Sequence, residues 1–139
     1  MARLLTDRGV QIQRVDTAEE ARAALTGDAT LLITQPNWIA PPQLSQLHDA
    51  ARTVIAVGAQ DASLDALAPG VNSSSEISIS TREPGCSLPA ARAAGTARLG
   101  GITYGGASTC YDGTLVERSK TVVLGDATAL TNGGLDEEG

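Results

Sequence analysis

Two uninterrupted apolar runs, separated by a helical segment, constrain the fold of this chain more than any other feature. Residues 29–34 (ATLLIT) and 53–57 (TVIAV) are short and lack the polar alternation of a half-wet strand, so they predict strands buried on both faces of a parallel sheet. Between them, Pro41 and Pro42 suit the first turn of a helix. The buried stripe of that helix would be Leu44, Leu47 and Ala51. Strand, helix and strand at this spacing predict a right-handed βαβ unit.

Segments on both sides extend this pattern. Residues 17–20 (TAEE) form a capping box that should begin a helix ended by Gly27, and the alternating residues 10–15 before it predict a first strand. Residues 121–124 (TVVL) repeat the buried-strand pattern and should return to the main sheet. Asn132 would cap a final helix for which no helical sequence remains. We therefore expect that this C-terminal helix is truncated and that the chain is a piece of a longer protein.

The pattern changes between the third and the last of these strands, over about residues 72–118. Residues 74–80 (SSEISIS) alternate like a strand with one wet face, and residues 88–94 predict a short helix with Pro at its start. Two more strand-like pieces follow at 96–104 and 111–118. We interpret this stretch as an inserted antiparallel excursion at the edge of, or above, the parallel sheet.

Size and composition predict one α/β domain over residues 1–139. With 42% hydrophobic residues, no Phe and one Trp, the core must be built from aliphatic side chains, which suit helix-on-sheet layers. The net charge of -6 argues against a nucleic-acid partner, which would require a basic patch. No apolar stretch approaches the roughly 20 residues of a membrane span, and the N-terminus lacks a signal-peptide pattern. We expect this piece to be soluble and to contact a membrane only through flanking segments.

The two cysteines, Cys86 and Cys110, permit either a disulfide or free thiols. A bridge would close a loop of about 25 residues and stabilise the fold by on the order of 3 kcal/mol, and it would indicate an oxidising, extracytoplasmic setting. The alternative is that Cys86 is a nucleophile, because it directly precedes the predicted helix at 88–94, whose N-terminus would lower the pKa of a thiol. His48, the sole histidine, would be its base.

Other chemistry finds little support in the residues. Nothing in the sequence places His48 beside Cys86, as general-base activation requires, and two Cys with one His fall short of a closed zinc site. The chain has no phosphate loop, no GxGxxG and no GxSxG motif. We therefore expect no metal, no cofactor and no assigned catalytic residue.

The candidate ligand site lies where the predicted parallel strands end, because ligands of open α/β sheets bind at the carboxyl ends of the strands. The polar and turn residues at these ends are Gln35, Asn37, Trp38, Gly58, Asp61, Gly125, Asp126, Thr131 and Asn132. The alternative is that they only form turns and caps, since Gly, Asn and Asp are the usual turn formers.

Several short motifs have the order and spacing of a known family. They are RGV at 8–10, LLIT at 31–34 followed by a proline loop, ALAPGV at 66–71, Cys86 before a Pro- and Ala-rich helix, Ala94-Gly95, GGITY at 100–104, Cys110-Tyr111, VVLG at 122–125 and LTN at 130–132 before LD. Through these motifs nearly the whole chain resembles the actinobacterial domain of unknown function 4350 family. The ectodomain of this membrane-anchored family is grouped with class I glutamine amidotransferase-like domains.

The resemblance implies a three-layer, flavodoxin-like α/β domain outside the membrane, between transmembrane segments that this chain lacks. It also agrees with a Cys86–Cys110 bridge and with the missing final helix. Active enzymes of the superfamily place a nucleophilic Cys in a turn after a parallel strand, with His downstream. Here that turn is residues 58–61 (GAQD) and no His follows position 48, so no catalytic residue carries over.

Three functions are compatible with these expectations. The first is a non-catalytic binding or interaction domain on the extracytoplasmic face of the cell membrane, with an unidentified protein or small molecule as partner. The second is a thiol- or carboxylate-dependent hydrolase or amidotransferase-like enzyme using Cys86, or Asp126 and neighbouring strand-end groups. The third is a structural ectodomain that scaffolds partner proteins.

Overall fold

The computed structural model describes residues 11–127 of the chain. The helices are α1 (Ala18–Ala24), α2 (Pro41–Ala50), α3 (Asp61–Leu67) and α4 (Pro89–Ala94). The strands are β1 (Thr30–Ile33), β2 (Thr53–Val57), β3 (Asn72–Arg82), β4 (Ala97–Gly105), β5 (Ser108–Cys110), β6 (Leu115–Arg118) and β7 (Thr121–Leu124). Two short 3-10 turns cover Pro36–Trp38 and Tyr111–Gly113.

The main sheet has five strands in the order β1-β2-β7-β6-β5. Strands β1, β2 and β7 are parallel to one another, while β6 runs antiparallel to both of its neighbours, β7 and β5. Strand β5 therefore has the same direction as β7, and β6 alone opposes the rest. The prediction of a mixed α/β fold with a mostly parallel sheet is confirmed.

The larger core lies on one face of this sheet, and a smaller buried cluster that includes Val57, Leu124 and Ala91 of α4 lies on the other. Inward-facing residues of β1, β2 and β7 alternate with outward-facing ones, and the inward set packs against α1, α2 and α3. Its central members are Leu31, Ile33, Leu44, Leu47, Val54, Ala56, Leu64, Leu67 and Val123. The expected stripe Leu44, Leu47 and Ala51 is buried, and the Thr17 hydroxyl caps α1 by accepting from the Glu20 N–H at 3.1 Å. Aliphatic burial thus fixes both the sheet and its helical layer.

Two expectations about strands are wrong. Residues 11–15 form no strand, and Ile12 is 41% exposed. Alternating apolar and polar residues produce a strand only where a sheet edge pairs with them and a core buries one face. Strand β1 is not buried on both faces, since Leu32 is 39% exposed. β1 is the edge of the sheet, and α1 to α3 cover one side of it. Val10 lies outside the described residues.

The predicted excursion is divided between two sheets. Strands β3 and β4 form a separate antiparallel pair, whereas β5 and β6 join the main sheet beyond β7. The segment expected to be a strand from 111 to 118 begins with the 3-10 turn Tyr111–Gly113 and becomes extended only at Leu115. Tyr111 and Asp112 have positive φ, a conformation that interrupts a strand.

Strand β4 crosses the end of β7 so closely that only backbone fits between them. The Ile102 N–H donates to the Gly125 carbonyl oxygen at 3.2 Å. The Gly125 N–H donates to the Thr114 carbonyl oxygen at 2.8 Å. A Cβ on Gly125 would lie 2.1 Å from the Ile102 carbonyl oxygen. A Cβ on Gly101 would lie 2.5 Å from the Gly125 carbonyl oxygen. Glycine is therefore required at this crossing.

We expect Gly125→Ala to lower the free energy of unfolding by about 3 kcal/mol, because the added methyl forces β4 away from β7. Gly105→Ala is the matched control, since a Cβ there would meet nothing within 4 Å and should change stability by about 0.5 kcal/mol or less. Urea denaturation of both variants measures the difference. Equal stability of the two would show that the crossing is not tight.

Two fully buried threonines differ in hydrogen bonding. The Thr114 hydroxyl donates to the Tyr111 carbonyl oxygen at 2.7 Å, whereas the Thr121 hydroxyl has no hydrogen-bond partner among the described residues. A buried hydroxyl without a partner loses its hydration and gains nothing in return. Thr121, at the start of β7, is thus a site of local instability.

Thr121→Val should raise the free energy of unfolding by about 1 kcal/mol, because it replaces the unpaired hydroxyl with a methyl group of similar shape. Thr114→Val should lower it by about 1 kcal/mol, because the Tyr111 carbonyl oxygen loses the hydroxyl donor and keeps only the Thr114 N–H at 3.2 Å. Thermal and urea unfolding would resolve the opposite signs. A loss of stability in both variants would mean that the Thr121 hydroxyl has a partner after all.

Candidate functional site

The carboxyl ends of β1, β2 and β7 meet at one edge of the main sheet because these strands are parallel and adjacent. Three loops leave this edge and carry the residues singled out from the sequence. The first loop contains Gln35, Asn37 and Trp38, the second Gly58 and Asp61, and the third Gly125 and Asp126. Thr131 and Asn132 lie outside the described residues. We call this set of loops the carboxyl edge.

Asn37 ties the first loop to the second. Its Nδ2 donates to the Gly58 carbonyl oxygen at 2.8 Å, and its Oδ1 accepts from the Gln60 backbone N–H at 3.0 Å. The same oxygen accepts a short hydrogen bond from the Ser63 hydroxyl. The side-chain amide thus joins two loops that leave neighbouring strands, and most of its bonding capacity is used by protein groups.

Ser63 connects this bridge to the first turn of α3. Gln60 is the N-cap residue of α3, and its backbone N–H lies 3.1 Å from the Ser63 hydroxyl oxygen. The Ser63 hydroxyl also lies 2.8 Å from the Gln60 carbonyl oxygen. Because a hydroxyl carries one hydrogen, Ser63 shares it between this carbonyl and Asn37. The buried serine therefore completes a small polar network rather than offering a free nucleophile.

Tyr104 holds the second loop from β4. Its hydroxyl donates to the Ala59 carbonyl oxygen at 2.9 Å, and both residues are buried. Burial raises the pKa of the Tyr104 phenol well above its usual value of 10.0, because desolvation disfavours the charged form. The phenol therefore remains a neutral donor over the physiological pH range.

The crossing of β4 buries the start of the third loop. Gly125 is buried and engaged by Ile102 and Thr114 through its backbone. Asp126 is half-buried, and its Cβ lies where a side chain on Gly101 would have to sit. Among the described residues, the exposed candidates of the carboxyl edge are consequently those after β1 and β2.

Trp38 dominates that accessible part. Its side chain is 82% exposed, although tryptophan is usually among the most buried residues on average. Gln35 and Asp61 are also exposed, and Asp61 has φ +51°, which is unusual for a residue other than glycine. The site residues expected after β1 and β2 therefore lie together, whereas of the two described residues after β7 Gly125 is buried and Asp126 half-buried.

The second region of interest is the disulfide. Cys86 and Cys110 are bonded, with S–S 2.06 Å and Cα–Cα 5.3 Å, and no described cysteine is free. The bond joins the loop before α4 to the end of β5 in the main sheet. The Tyr111 N–H donates to the Pro84 carbonyl oxygen at 2.8 Å, and the Tyr111 hydroxyl donates to that of Gly95 at 2.6 Å. Covalent and hydrogen bonds together fasten α4 to the sheet.

The thiol nucleophile considered from the sequence is not present in this oxidised form. Cys86 is consumed by the bond with Cys110, and His48 lies on α2 with its Nδ1 3.5 Å from an Asp49 carboxylate oxygen. Among residues 11–127, no three His, Cys, Asp or Glu side chains form a group that could hold a metal ion.

Surface depressions do not coincide with the carboxyl edge. One cavity of about 390 Å³ lies beside α1, and another of about 360 Å³ lies beside the disulfide. The first is lined by Gln13, Glu20, Ala23, Ala24 and Thr26, and the second by Glu83, Pro84, Gly85, Cys86, Arg92, Gly95 and Thr96. Trp38 borders neither of them.

Comparison with known proteins now places the chain in a family. The family model described as "Domain of unknown function (DUF4350)" matches residues 1–139. The chain belongs to the DUF4350 family. A relative from Mycobacterium tuberculosis, named "Uncharacterized membrane protein Rv3691", is 28% identical over 146 residues, which cover 97% of this chain and 38% of the relative. The DUF4350 chain thus spans well under half of that protein. No solved structure matches it.

Sequence reasoning missed two members of this site in the DUF4350 domain, Ser63 and Tyr104. The spacing of Gln60 and Ser63 is that of a capping box, and a search for caps with Gln as the N-cap residue would have found it. Tyr104 contacts Ala59, 45 positions away in the chain, and no local sequence pattern predicts such a contact.

Above pH 10, this domain should lose stability through Tyr104. Below the unfolded-state pKa near 10 the phenol is neutral in both states, and stability is unaffected. Above it the unfolded chain ionises first, because burial raises the pKa in the folded state, so stability falls by up to about 1.4 kcal/mol per pH unit. Tyr104→Phe should remove this component and cost about 1 kcal/mol at pH 7 through the lost hydrogen bond to Ala59.

Urea unfolding between pH 8 and about 11 tests this expectation. Because the variant retains every other tyrosine and lysine, the difference between the two pH profiles isolates Tyr104. Parallel profiles for the wild type and Tyr104→Phe would contradict the assignment.

Proposed function

We propose that this DUF4350 domain is a non-catalytic binding domain on the extracytoplasmic side of a membrane-anchored protein. The observation that carries the proposal is the Cys86–Cys110 bond. Disulfides persist in oxidising compartments and are rare in the reducing cytosol. This bond fastens α4 to the main sheet, so oxidation contributes to the fold itself.

Membrane attachment is supported by the relative from Mycobacterium tuberculosis, which is named a membrane protein and extends well beyond the matched region. None of the described helices is long and apolar enough to cross a bilayer. In this proposal, segments flanking the domain supply the anchor, as in an actinobacterial membrane-anchored family.

The polar groups support binding rather than catalysis. The Asn37 and Ser63 side chains are engaged with one another and with backbone, and the turn after β2 reads Gly58-Ala59-Gln60-Asp61, without a cysteine. We place the domain within a glutamine amidotransferase-like, flavodoxin-like three-layer lineage in which the nucleophile position is not used. The remaining exposed features, Trp38 and Asp61, are suited to recognition.

The location is tested on the full-length protein in the membrane of intact cells. Ser74 lies exposed on β3, so Ser74→Cys adds one reactive thiol to the domain, and the full-length protein without this substitution is the labelling control. We expect a membrane-impermeant maleimide to label it in intact cells, with a cytoplasmic thiol protein of the host unlabelled as control. Labelling of Ser74→Cys only after permeabilisation would refute the extracytoplasmic location.

The disulfide is tested on the same material. After denaturation, peptides from residues 1–139 should carry no maleimide before reduction and two after it, because Cys86 and Cys110 are paired. The double variant Cys86→Ser/Cys110→Ser should lose about 3 kcal/mol of unfolding free energy, since the bond closes a long loop in the unfolded chain. Free thiols in the unreduced wild type would remove the main support for the proposal.

A further inference from the structure

The backbone that carries the exposed tryptophan is fixed by its neighbours. Residue 37, next to it, makes the three hydrogen bonds of the Asn37 bridge. Pro36 on the other side is buried, and Ile39 packs against the core. The Trp38 N–H also donates to the Gln35 carbonyl oxygen at 3.1 Å. The indole is therefore presented outward on a fixed backbone, which lowers the entropy cost of binding.

The charges around Trp38 have one sign. Residues 29–47 contain no Asp, Glu, Lys or Arg, and residues 53–81 contain three acidic residues and no Lys or Arg. Two of these acids, Asp61 and Asp65, are exposed and lie one turn apart on α3, so they share one helix face. The bridge from Asn37 to Gln60 brings the start of this helix beside the Trp38 turn.

The guanidinium that approaches α3 lies at its far end. Arg118 reaches Gly70, where its Nη2 would be 3.3 Å from an added Cβ, and Gly70 follows the C-terminus of α3. The length of α3, about 10 Å, separates this cation from the Trp38 turn. Within residues 11–127, neither Asp61 nor Asp65 forms an ion pair, so an exposed indole beside a helix with two exposed carboxylates is complementary to a positive charge.

We propose that Trp38, Asp61 and Asp65 form a docking surface for a protein partner that presents an arginine or lysine side chain. The cation would lie over the indole face and pair with the carboxylates, combining a cation–π contact with a charge-assisted hydrogen bond. This inference rests on the proposed function, because it names the partner class of the same accessible edge. Tryptophan is also the residue type most enriched at energetic centres of protein interfaces.

A protein partner fits better than a small molecule or a membrane. Small-molecule sites are concave, whereas neither described cavity borders Trp38. Anionic lipid headgroups would be repelled by Asp61, by Asp65 and by the net charge of -6. The same charges attract a basic protein surface.

The first test uses the single tryptophan as its own probe. An octa-arginine peptide should change Trp38 emission saturably in low salt, and an octa-glutamate peptide should not. Asp61→Asn/Asp65→Asn should weaken binding of octa-arginine by about tenfold, through the loss of two charge pairs. Glu76→Gln/Glu117→Gln is the matched control, because it removes the same two charges at exposed positions on β3 and β6.

The second test measures the indole itself, using fluorescence anisotropy of a dye-labelled octa-arginine peptide. Trp38→Ala should weaken binding about fivefold, whereas Trp38→Phe, which keeps an aromatic face, should weaken it less. Circular dichroism must show that all variants retain the wild-type fold. A 0.5 M salt series should weaken wild-type binding more than that of Asp61→Asn/Asp65→Asn.

Three results would overturn the docking surface. The first is equal weakening of octa-arginine binding in Glu76→Gln/Glu117→Gln, which indicates attraction by net charge alone. The second is wild-type affinity in Trp38→Ala. The third is a blue shift of Trp38 emission with phosphatidylcholine or phosphatidylglycerol vesicles in place of a response to octa-arginine, which indicates a membrane surface. None of them affects maleimide labelling of Ser74→Cys. Failure of the docking surface and failure of the extracytoplasmic assignment are thus distinguishable.

Discussion

The side-chain amide of Asn37 is the interaction on which the accessible surface of this domain depends. Parallel strands end at the same edge of a sheet but leave it in separate loops, and nothing in the strands fixes those loops relative to each other. Asn37 does so by bonding both the Gly58 carbonyl and the Gln60 N–H, while Tyr104 holds the intervening Ala59 carbonyl. Because the backbone polar groups of the turn are paired in this way, the loop can expose Trp38 without becoming mobile itself.

Sequence patterns predicted the local elements of this fold well. The apolar runs that became β1, β2 and β7 and the Thr17 cap of α1 depend on contacts within a few residues or on burial alone. The failures involve strand pairing. Residues 11–15 alternate like a strand but find no edge to pair with. Strand β6 pairs with its chain neighbour β7 in the main sheet, although the sequence pattern assigns residues 111–118 to a separate excursion.

The candidate site shows the same division. Its position followed from the strand ends, and Gln35, Asn37, Trp38, Gly58 and Asp61 do lie together at the carboxyl edge. A ligand role for them stays a prediction, and the structure gives Asn37 a bridging role that turn propensity alone does not specify. The closure of the β7 end by β4 depends on Gly101 and Gly125 meeting across 24 positions of sequence, and the sequence shows each only as a turn former.

The β4 crossing also has a consequence for how this family can diversify. The antiparallel pair of β3 and β4 meets the end of β7 through main-chain atoms, at glycines that cannot carry a side chain. Leu99, Ile102 and Tyr104 of β4 are buried, so the freedom to vary lies in β3 and not in β4. Much of β3 is exposed and polar, and its outer edge pairs with no described strand. Homologues can therefore exchange the exposed residues of β3, or an engineer can graft an epitope onto it, while the contact between Gly101 and Gly125 keeps β4 in place against β7.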